Sequence, residues 1–231
     1  MIETREILAG IIQLVIHRPP ANALDIEAIQ AIESKFIDLA RNPPTYGVVF
    51  TGHGAIFSAG VDTRAFASYD PARRLAMAQS ITRMTAAMIS LPVPLVGAIN
   101  GHALGGGLVL SLCCDWRIAI DDQKIRLGLP EAAAGVPFPA GPVEILLHEL
   151  QGSTIRRLTL SSETMSPQSM QALGVIDELC GREDLLERAH ERVRALAVQP
   201  GFSIVKRQIR GPLADRVNAL AREGSEPFWT T

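Results

Sequence analysis

Short apolar runs recur along about the first 140 residues of the chain, separated by polar or glycine-rich segments. They are too short for ordinary helices, and several end at or near a glycine, which is typical of buried strands. The pattern predicts two strands around Gly10 within 6–19, and further strands at 46–52, 93–100, 116–120 and 124–130.

Between these runs, apolar residues return at helical spacing. Asp25 stands where a cap is expected for a helix over 25–40, and a proline begins a second predicted helix over 71–90. A third helix is expected from about Gly105, and the small residues of 53–62 predict a loop. Because strands alternate with helices, the order favours an α/β fold whose sheet is parallel or mostly parallel, with crossover helices.

The pattern becomes helical beyond Pro139. Helices are predicted at 141–151, 153–162, 167–173, 182–198 and 200–223, with the short segment 175–179 among them. A tail of this kind either covers the sheet or packs on a neighbouring subunit.

Composition narrows the class of protein. The chain has 231 residues, which suits one large domain or one domain with a small appendage. Hydrophobic residues make up 47% and aromatic residues 5%, so the predicted core is aliphatic. A net charge of −2 with both signs interspersed argues against a nucleic-acid partner.

Three cysteines, two of them adjacent, form neither a disulfide framework nor a zinc pattern, and they indicate a reduced, intracellular protein. The first residues do not resemble a signal peptide, and no apolar run reaches the roughly 18–20 residues of a membrane span. We therefore expect a cytoplasmic location and no membrane partner.

Several common sites have no motif in the chain. The sequence contains no GxGxxG, no Walker loop and no GxSxG elbow, which argues against dinucleotide, ATP and serine-hydrolase sites. His148 and Glu149 lack a second histidine at zinc-helix spacing, and we expect no bound metal.

Two glycine-bearing turns share one arrangement. "FSAGVD" at 57–62 and "ALGGGL" at 103–108 each lie between a predicted buried strand and a helix. A helix start offers N–H groups without partners, and glycine lets an external group approach them closely. Two such donors aimed at one point form an oxyanion hole. Each turn could equally be an ordinary strand–helix connection.

Together with other stretches, these turns resemble the crotonase superfamily, also known as the enoyl-CoA hydratase/isomerase family. The matching stretches are "RPPANALD" (18–25), "VVFTGHGAIFSAGVDTRAF" (48–66), "PVPLVGAINGHALGGGLVLSLCCDWRIA" (92–119), "IRLGLPEAAAGVPFP" (125–139) and "SPQSMQALGVIDEL" (166–179). The resemblance implies an α/β crotonase-like fold of repeated ββα units over 1–165 and a helical region over 166–231 that serves trimerisation. The expected assembly is a homotrimer or a dimer of trimers.

The resemblance also implies a coenzyme A thioester as substrate, with no separate cofactor. It assigns the two oxyanion donors to the N–H groups of Val61 and Gly106, and a catalytic carboxylate to Glu131. Ala21 and Ala23 match positions where the adenine approaches the backbone. The residues expected to contact the thioester are Ala21, Ala23, Ala59, Val61, Asp62, Thr63, Arg64, Gly105, Gly106, Val109 and Pro130. Two of these have competing interpretations, because Arg64 is equally well read as a solvated arginine and Asp62 better as a helix cap.

One departure separates the chain from the family's hydratases. They carry one glutamate three residues after the middle glycine of "GGG" (105–107), where this chain has Val109. They also carry a second glutamate, which matches Glu131. A single base and an oxyanion hole suffice for Δ3,Δ2-enoyl-CoA isomerisation, as in the isomerases of the family, although Pro130 replaces their frequent asparagine. Alternatives are a hydratase, or another lyase or hydrolase, that takes a second catalytic group from 62–80, and a non-catalytic acyl-CoA-binding subunit.

Overall fold

Two β-sheets carry the fold in the computed structural model, which describes residues 2–8 and 10–229. The strands are β1 (Ile2–Leu8), β2 (Ile11–Ile16), β3 (Gly47–Gly52), β4 (Ile56–Ser58), β5 (Leu95–Ile99), β6 (His102–Leu104), β7 (Trp116–Ile120), β8 (Leu127–Gly128), β9 (Thr164–Met165) and β10 (Glu178–Cys180). The helices are α1 (Ile26–Arg41), α2 (Thr63–Ser68), α3 (Pro71–Ile89), α4 (Gly106–Leu112), α5 (Glu131–Ala134), α6 (Ala140–Glu149), α7 (Gly152–Thr159), α8 (Pro167–Ala172), α9 (Leu185–Ala197) and α10 (Phe202–Glu223).

The larger sheet has the order β1-β2-β3-β5-β7-β10. Every pair from β2 to β10 is parallel, and only β1 joins its neighbour in antiparallel register. The described residues of β3 and β5 are entirely buried, as expected for strands covered on both faces. The prediction of a mostly parallel sheet is therefore confirmed.

The smaller sheet has the order β4-β6-β8-β9 and was not predicted. The expected loop at 53–62 contains β4, and the expected strand at 124–130 pairs only over Leu127–Gly128. Strands of two or three residues are too short to show a period, so the apolar pattern cannot reveal them.

Successive strands from β3 to β8 alternate between the two sheets. Successive pairs β3–β4, β5–β6 and β7–β8 each send the first strand to the larger sheet and the second to the smaller sheet, and a helix follows each pair. Because β4, β6 and β8 are parallel, the three helices that follow begin at the same edge of the smaller sheet.

Local capping agrees with the sequence in α1 and α3. The Asp25 carboxylate accepts a 2.8 Å hydrogen bond from the Ala28 N–H at the start of α1, and α3 begins at Pro71. The short helix α2 was missed, and it is capped by Asp62, whose side chain accepts from the N–H groups of Arg64 and Ala65.

The C-terminal helices pack on their own chain, and only α9 covers the larger sheet. Helix α9 packs on β3, β5 and β7, while α10 packs on α3 and α6. Asp115 attaches α10 to the core through Lys206 at 2.6 Å and Arg210 at 3.1 Å. The division of the chain after residue 165 stays a prediction.

Candidate active site

Three successive strand–helix turns meet at one edge of the smaller sheet. Val61 follows β4, Gly106 begins α4 after β6, and Glu131 begins α5 after β8. Their separation in sequence is large, but the parallel pairing of the three strands brings their C-terminal ends together. The edge therefore combines backbone N–H groups from two turns with a carboxyl group from the third.

A backbone bridge orients the N–H of Val61. Gly60 O accepts a 2.8 Å hydrogen bond from Leu24 N–H, and Asp62 N–H donates to Leu24 O at 2.9 Å. In this parallel bridge the N–H of Val61 points away from Leu24, and no acceptor for it occurs among the described residues.

The N–H of Gly106 lies in the first turn of α4, where the helix provides no acceptor for it. The neighbouring Gly105 donates to Gly128 O at 2.8 Å, and its carbonyl accepts from Leu108 and Val109, which leaves Gly106 N–H without a partner in the described part of the chain. A β-carbon on Gly106 would lie 3.8 Å from Val61 N, and one on Gly60 would lie 2.9 Å from Gly106 N. The two N–H groups are thus neighbours, and glycine keeps the space around them open.

Glu131 brings the carboxyl group to these donors. Its Oε1 lies 2.9 Å from the position of a β-carbon on Gly105. Its Oε2 is buried and receives no hydrogen bond from any residue that the structure describes. Burial raises the pKa of Glu131 to about 7, since no cation among the described groups compensates the lost solvation. A carboxyl group in this state can take up and release protons near neutral pH.

Val61, Gly106 and Glu131 line an apolar pocket. Apart from Glu131, the lining residues in the described ranges carry no ionisable side chain. Val109 contributes an isopropyl group from α4 and is 3% exposed. The lining residues are Leu24, Val61, Ile81, Met84, Gly106, Val109, Glu131, Val136, Pro137, Phe138, Pro139, Pro142 and Trp229.

The structure brings together four of the predicted site residues, Val61, Gly106, Val109 and Glu131, in this pocket. The others lie around it rather than in its lining. Gly105 and Pro130 adjoin Gly106 and Glu131 in the chain. The N–H of Ala59 donates a 3.0 Å hydrogen bond to Ala21 O, and Ala23 O accepts one from Arg18. Thr63 and Arg64 lie on α2 and are exposed.

Asp62 acts as a cap, as the sequence favoured. Its pKa is lowered by hydrogen bonds from the N–H of Ala65 and from the guanidinium of Arg18. Arg18 lies 2.9 Å from Asp62 Oδ2 and 2.6 Å from Asp25 Oδ2, and it donates to Ala23 O at 3.0 Å. This arginine joins the turn before α1 to the turn that carries Val61, and sequence analysis did not single it out.

The aromatic residues of the pocket were also missed. Phe138 and Trp229 lie 91 positions apart, and nothing in their local sequence indicates a shared cavity. Composition alone could have indicated Trp229, because the chain has few aromatic residues and each of its two tryptophans is therefore a candidate for a functional position.

Two further findings concern other kinds of site. Within 2–8 and 10–229, no group of three or more His, Cys, Asp or Glu residues could hold a metal ion. Over the same ranges, no helix has the length and apolar character needed to cross a bilayer. The cytoplasmic location stays a prediction.

A family model described as enoyl-CoA hydratase/isomerase matches residues 6–221. The chain is 30% identical over 227 residues to a probable enoyl-CoA hydratase, echA17, of Mycolicibacterium paratuberculosis, covering 95% of this chain and 87% of the relative. It is 26% identical over 212 residues to the mitochondrial enoyl-CoA delta isomerase 1 of Mus musculus, covering 90% and 73%.

Solved structures agree with the sequence matches. The Pseudomonas aeruginosa protein DspI superposes with a TM-score of 0.84 at 28% identity, covering 96% of this chain and 91% of that one. A probable enoyl-CoA hydratase of Mycobacterium tuberculosis, EchA3, superposes with a TM-score of 0.86 at 25% identity, covering 96% and 93%.

Proposed function

The chain belongs to the enoyl-CoA hydratase/isomerase family, and from this premise we propose that it is a Δ3,Δ2-enoyl-CoA isomerase with Glu131 as its only proton carrier. Membership confirms the resemblance to the crotonases and their fold, and it makes the protein an enzyme of this family.

One observation carries the proposal: among the described residues, the pocket beside the two N–H groups holds a single carboxyl group in otherwise apolar surroundings. Val109 stands on α4 where a second carboxylate would be needed to handle a water molecule, and its side chain cannot transfer a proton. Addition of water needs one group to orient and activate the water and another to exchange protons. Isomerisation needs only one base, which removes a proton and returns it.

The proposed steps balance within the substrate and Glu131. The Glu131 carboxylate takes a proton from C2 of a 3-enoyl-CoA, and the C–H electron pair moves into a dienolate whose negative charge rests on the thioester oxygen. The N–H groups of Val61 and Gly106 stabilise that oxygen. The protonated Glu131 then gives its proton to C4, which leaves the double bond between C2 and C3. A pKa near 7 suits a group that must both accept and donate.

Hydration is the second candidate, because relatives are named as probable enoyl-CoA hydratases. It would require a second catalytic group from outside the lining residues. The nearby acid Asp62 is already engaged by Arg18 and by two N–H groups of α2, which argues against such a role. A subunit that only binds acyl-CoA would have no use for a buried carboxyl group beside the hole.

The two reactions are separated by supplying both substrates in deuterated water. We expect 3-hexenoyl-CoA to be converted to 2-hexenoyl-CoA with partial uptake of deuterium, and 2-hexenoyl-CoA to remain largely unhydrated. Efficient formation of 3-hydroxyacyl-CoA would reject the isomerase assignment in favour of a hydratase, and no reaction with either substrate would favour the binding subunit.

We further propose a homotrimer or a dimer of trimers. Apolar side chains on and between α9 and α10 are exposed in the single chain: Val198, Ile204, Val205 and Ile209. Closed symmetry is the usual way in which soluble oligomers bury such surfaces. Light scattering at micromolar concentration would reject this assembly if it gave the mass of a monomer.

A further inference from the structure

The segment 224–229 reaches the apolar pocket at Trp229 and is attached to the rest of the chain at two points. The Gln79 side-chain amide on α3 donates to Gly224 O at 2.9 Å. The Glu226 carboxylate is 3% exposed and accepts from the Thr82 hydroxyl at 2.5 Å and from the Ala140 N–H at 2.7 Å. Because both oxygens of Glu226 are bound by other elements, the segment is held between α3 and the start of α6.

This attachment places Trp229 in the wall of the pocket. Trp229 is 8% exposed and stands edge-on to the ring of Phe66, with centroids 5.6 Å apart and planes at 87°. Its backbone N–H donates to Glu226 O at 3.0 Å. The indole N–H has no acceptor among the described residues, so packing rather than a polar contact holds the ring.

Little space is left beside the indole. The centre of a water-sized sphere can reach only about 40 Å³ of the pocket. The space beyond the carboxyl of Glu131 and the two N–H groups is therefore narrow, and the indole of Trp229 forms part of its wall.

We propose that Trp229 limits the length of the acyl group, so that the enzyme acts on coenzyme A thioesters of short acyl chains, about six carbons or fewer. The inference rests on the proposed function to the extent that it takes this pocket as the place of the acyl chain. It adds the substrate class and a residue that determines specificity.

The test is a series of dissociation constants measured by calorimetry with saturated acyl-CoAs of four to twelve carbons. Each methylene buried in an apolar pocket should tighten binding about fourfold. For the wild type we expect this gain to stop at about six carbons. For Trp229→Ala we expect it to continue, so that decanoyl-CoA binds at least tenfold more tightly than to the wild type.

Phe228→Ala is the matched control, because Phe228 is the neighbouring aromatic residue and is 75% exposed. Its series should match that of the wild type. Trp229→Phe is a second variant that keeps a ring against Phe66, and its limit should move by only one or two carbons. A thermal melt of each variant identifies any that fails to fold, and Trp229→Phe then carries the comparison.

Three results would overturn the inference: a wild-type series that tightens steadily to twelve carbons, Trp229 variants that match the wild type, or a Phe228→Ala variant that accepts long chains equally well. Saturated thioesters cannot isomerise, so the series does not depend on the proposed reaction. A limit at about six carbons without turnover of 3-hexenoyl-CoA would reject the isomerase alone, and turnover without a limit would reject the role of Trp229 alone.

Discussion

The carboxyl group of Glu131 lies against the α-carbon of Gly105, so closely that a β-carbon there would stand 2.9 Å from Oε1. Gly105 also has a φ of +53°, a conformation that side chains disfavour. Of the three glycines at 105–107, the first therefore makes room for the carboxyl group of Glu131, the proposed proton carrier, while the second supplies an N–H group to the proposed oxyanion hole.

Gly105→Ala should displace Glu131 and reduce kcat by about 10²-fold, because misplacement of a reacting group by about 1 Å has an effect of this size. The backbone strain adds of order 1–3 kcal/mol of lost stability. Gly174→Ala is the control, since Gly174 has a φ of +71° but nothing within 4 Å of a β-carbon. Equal kcat in the two variants would show that the contact with Glu131 is unimportant.

The pH dependence of the reaction should report the raised pKa of Glu131. The base must be ionised to accept a proton from C2, and burial moves its pKa to about 7. We expect kcat/KM to fall about tenfold per pH unit below that value and to level off above it. A rate that stays constant down to pH 5 would mean that the base has an ordinary carboxyl pKa.

The stability of the fold should also depend on pH, because the pKa of Glu131 is raised in the folded chain. The pKa of Glu131 is higher in the folded chain than its ordinary value of 4.5, so folding favours the protonated form. Ionisation therefore destabilises the fold progressively as the pH rises from about 4.5 to 7. The melting temperature of Glu131→Gln minus that of the wild type should rise across this range and then stay constant, and a flat difference would contradict the burial argument.

The contribution of the hole can be tested at Gly106. Proline is tolerated at the first position of a helix, which Gly106 occupies in α4, so Gly106→Pro removes the N–H with limited damage to the fold. Loss of one oxyanion donor should lower kcat by about 10²–10³. Gly106→Ala keeps the N–H and adds a β-carbon whose nearest contact is 3.6 Å away, so its kcat measures the effect of added bulk apart from the loss of the donor. Near-normal turnover in a folded proline variant would place the hole elsewhere.

Arg18 should act as a positioning residue for Val61. Its guanidinium joins Asp25 and Asp62 across the two turns, with 27% of its side chain exposed. Arg18→Met should lower kcat more than it raises KM, because the N–H of Val61 is proposed to stabilise charge that develops during the reaction. Arg18→Lys keeps the charge without the forked geometry and should recover part of the loss. If the melting temperature changed while kcat stayed the same, Arg18 would contribute to stability and not to the position of Val61.

The sequence allowed the main sheet and the two turns to be predicted, because both depend on local signals. Apolar runs such as 46–52 have the length of buried strands, and Asp25 caps its helix through a contact three residues away. The resemblance supplied the roles of Val61, Gly106 and Glu131, and the structure groups these residues in one pocket.

The rest depends on contacts between distant parts of the chain. The strands of the smaller sheet are too short to show a period, and only their pairing brings Glu131 to Gly106. The indole of Trp229 reaches the pocket because Glu226 is held by Thr82 and Ala140, at separations of 144 and 86 residues. No local pattern records such a contact.

The proposed role of Glu131 as the only proton carrier is tested by comparing Glu131→Gln with the wild type. The amide keeps the shape of the side chain but has no useful basicity, so isomerisation of 3-hexenoyl-CoA should fall by about 10²–10⁴-fold. The dissociation constant of hexanoyl-CoA should change little. Unimpaired isomerisation by a folded Glu131→Gln variant would contradict the account and place the base outside this pocket.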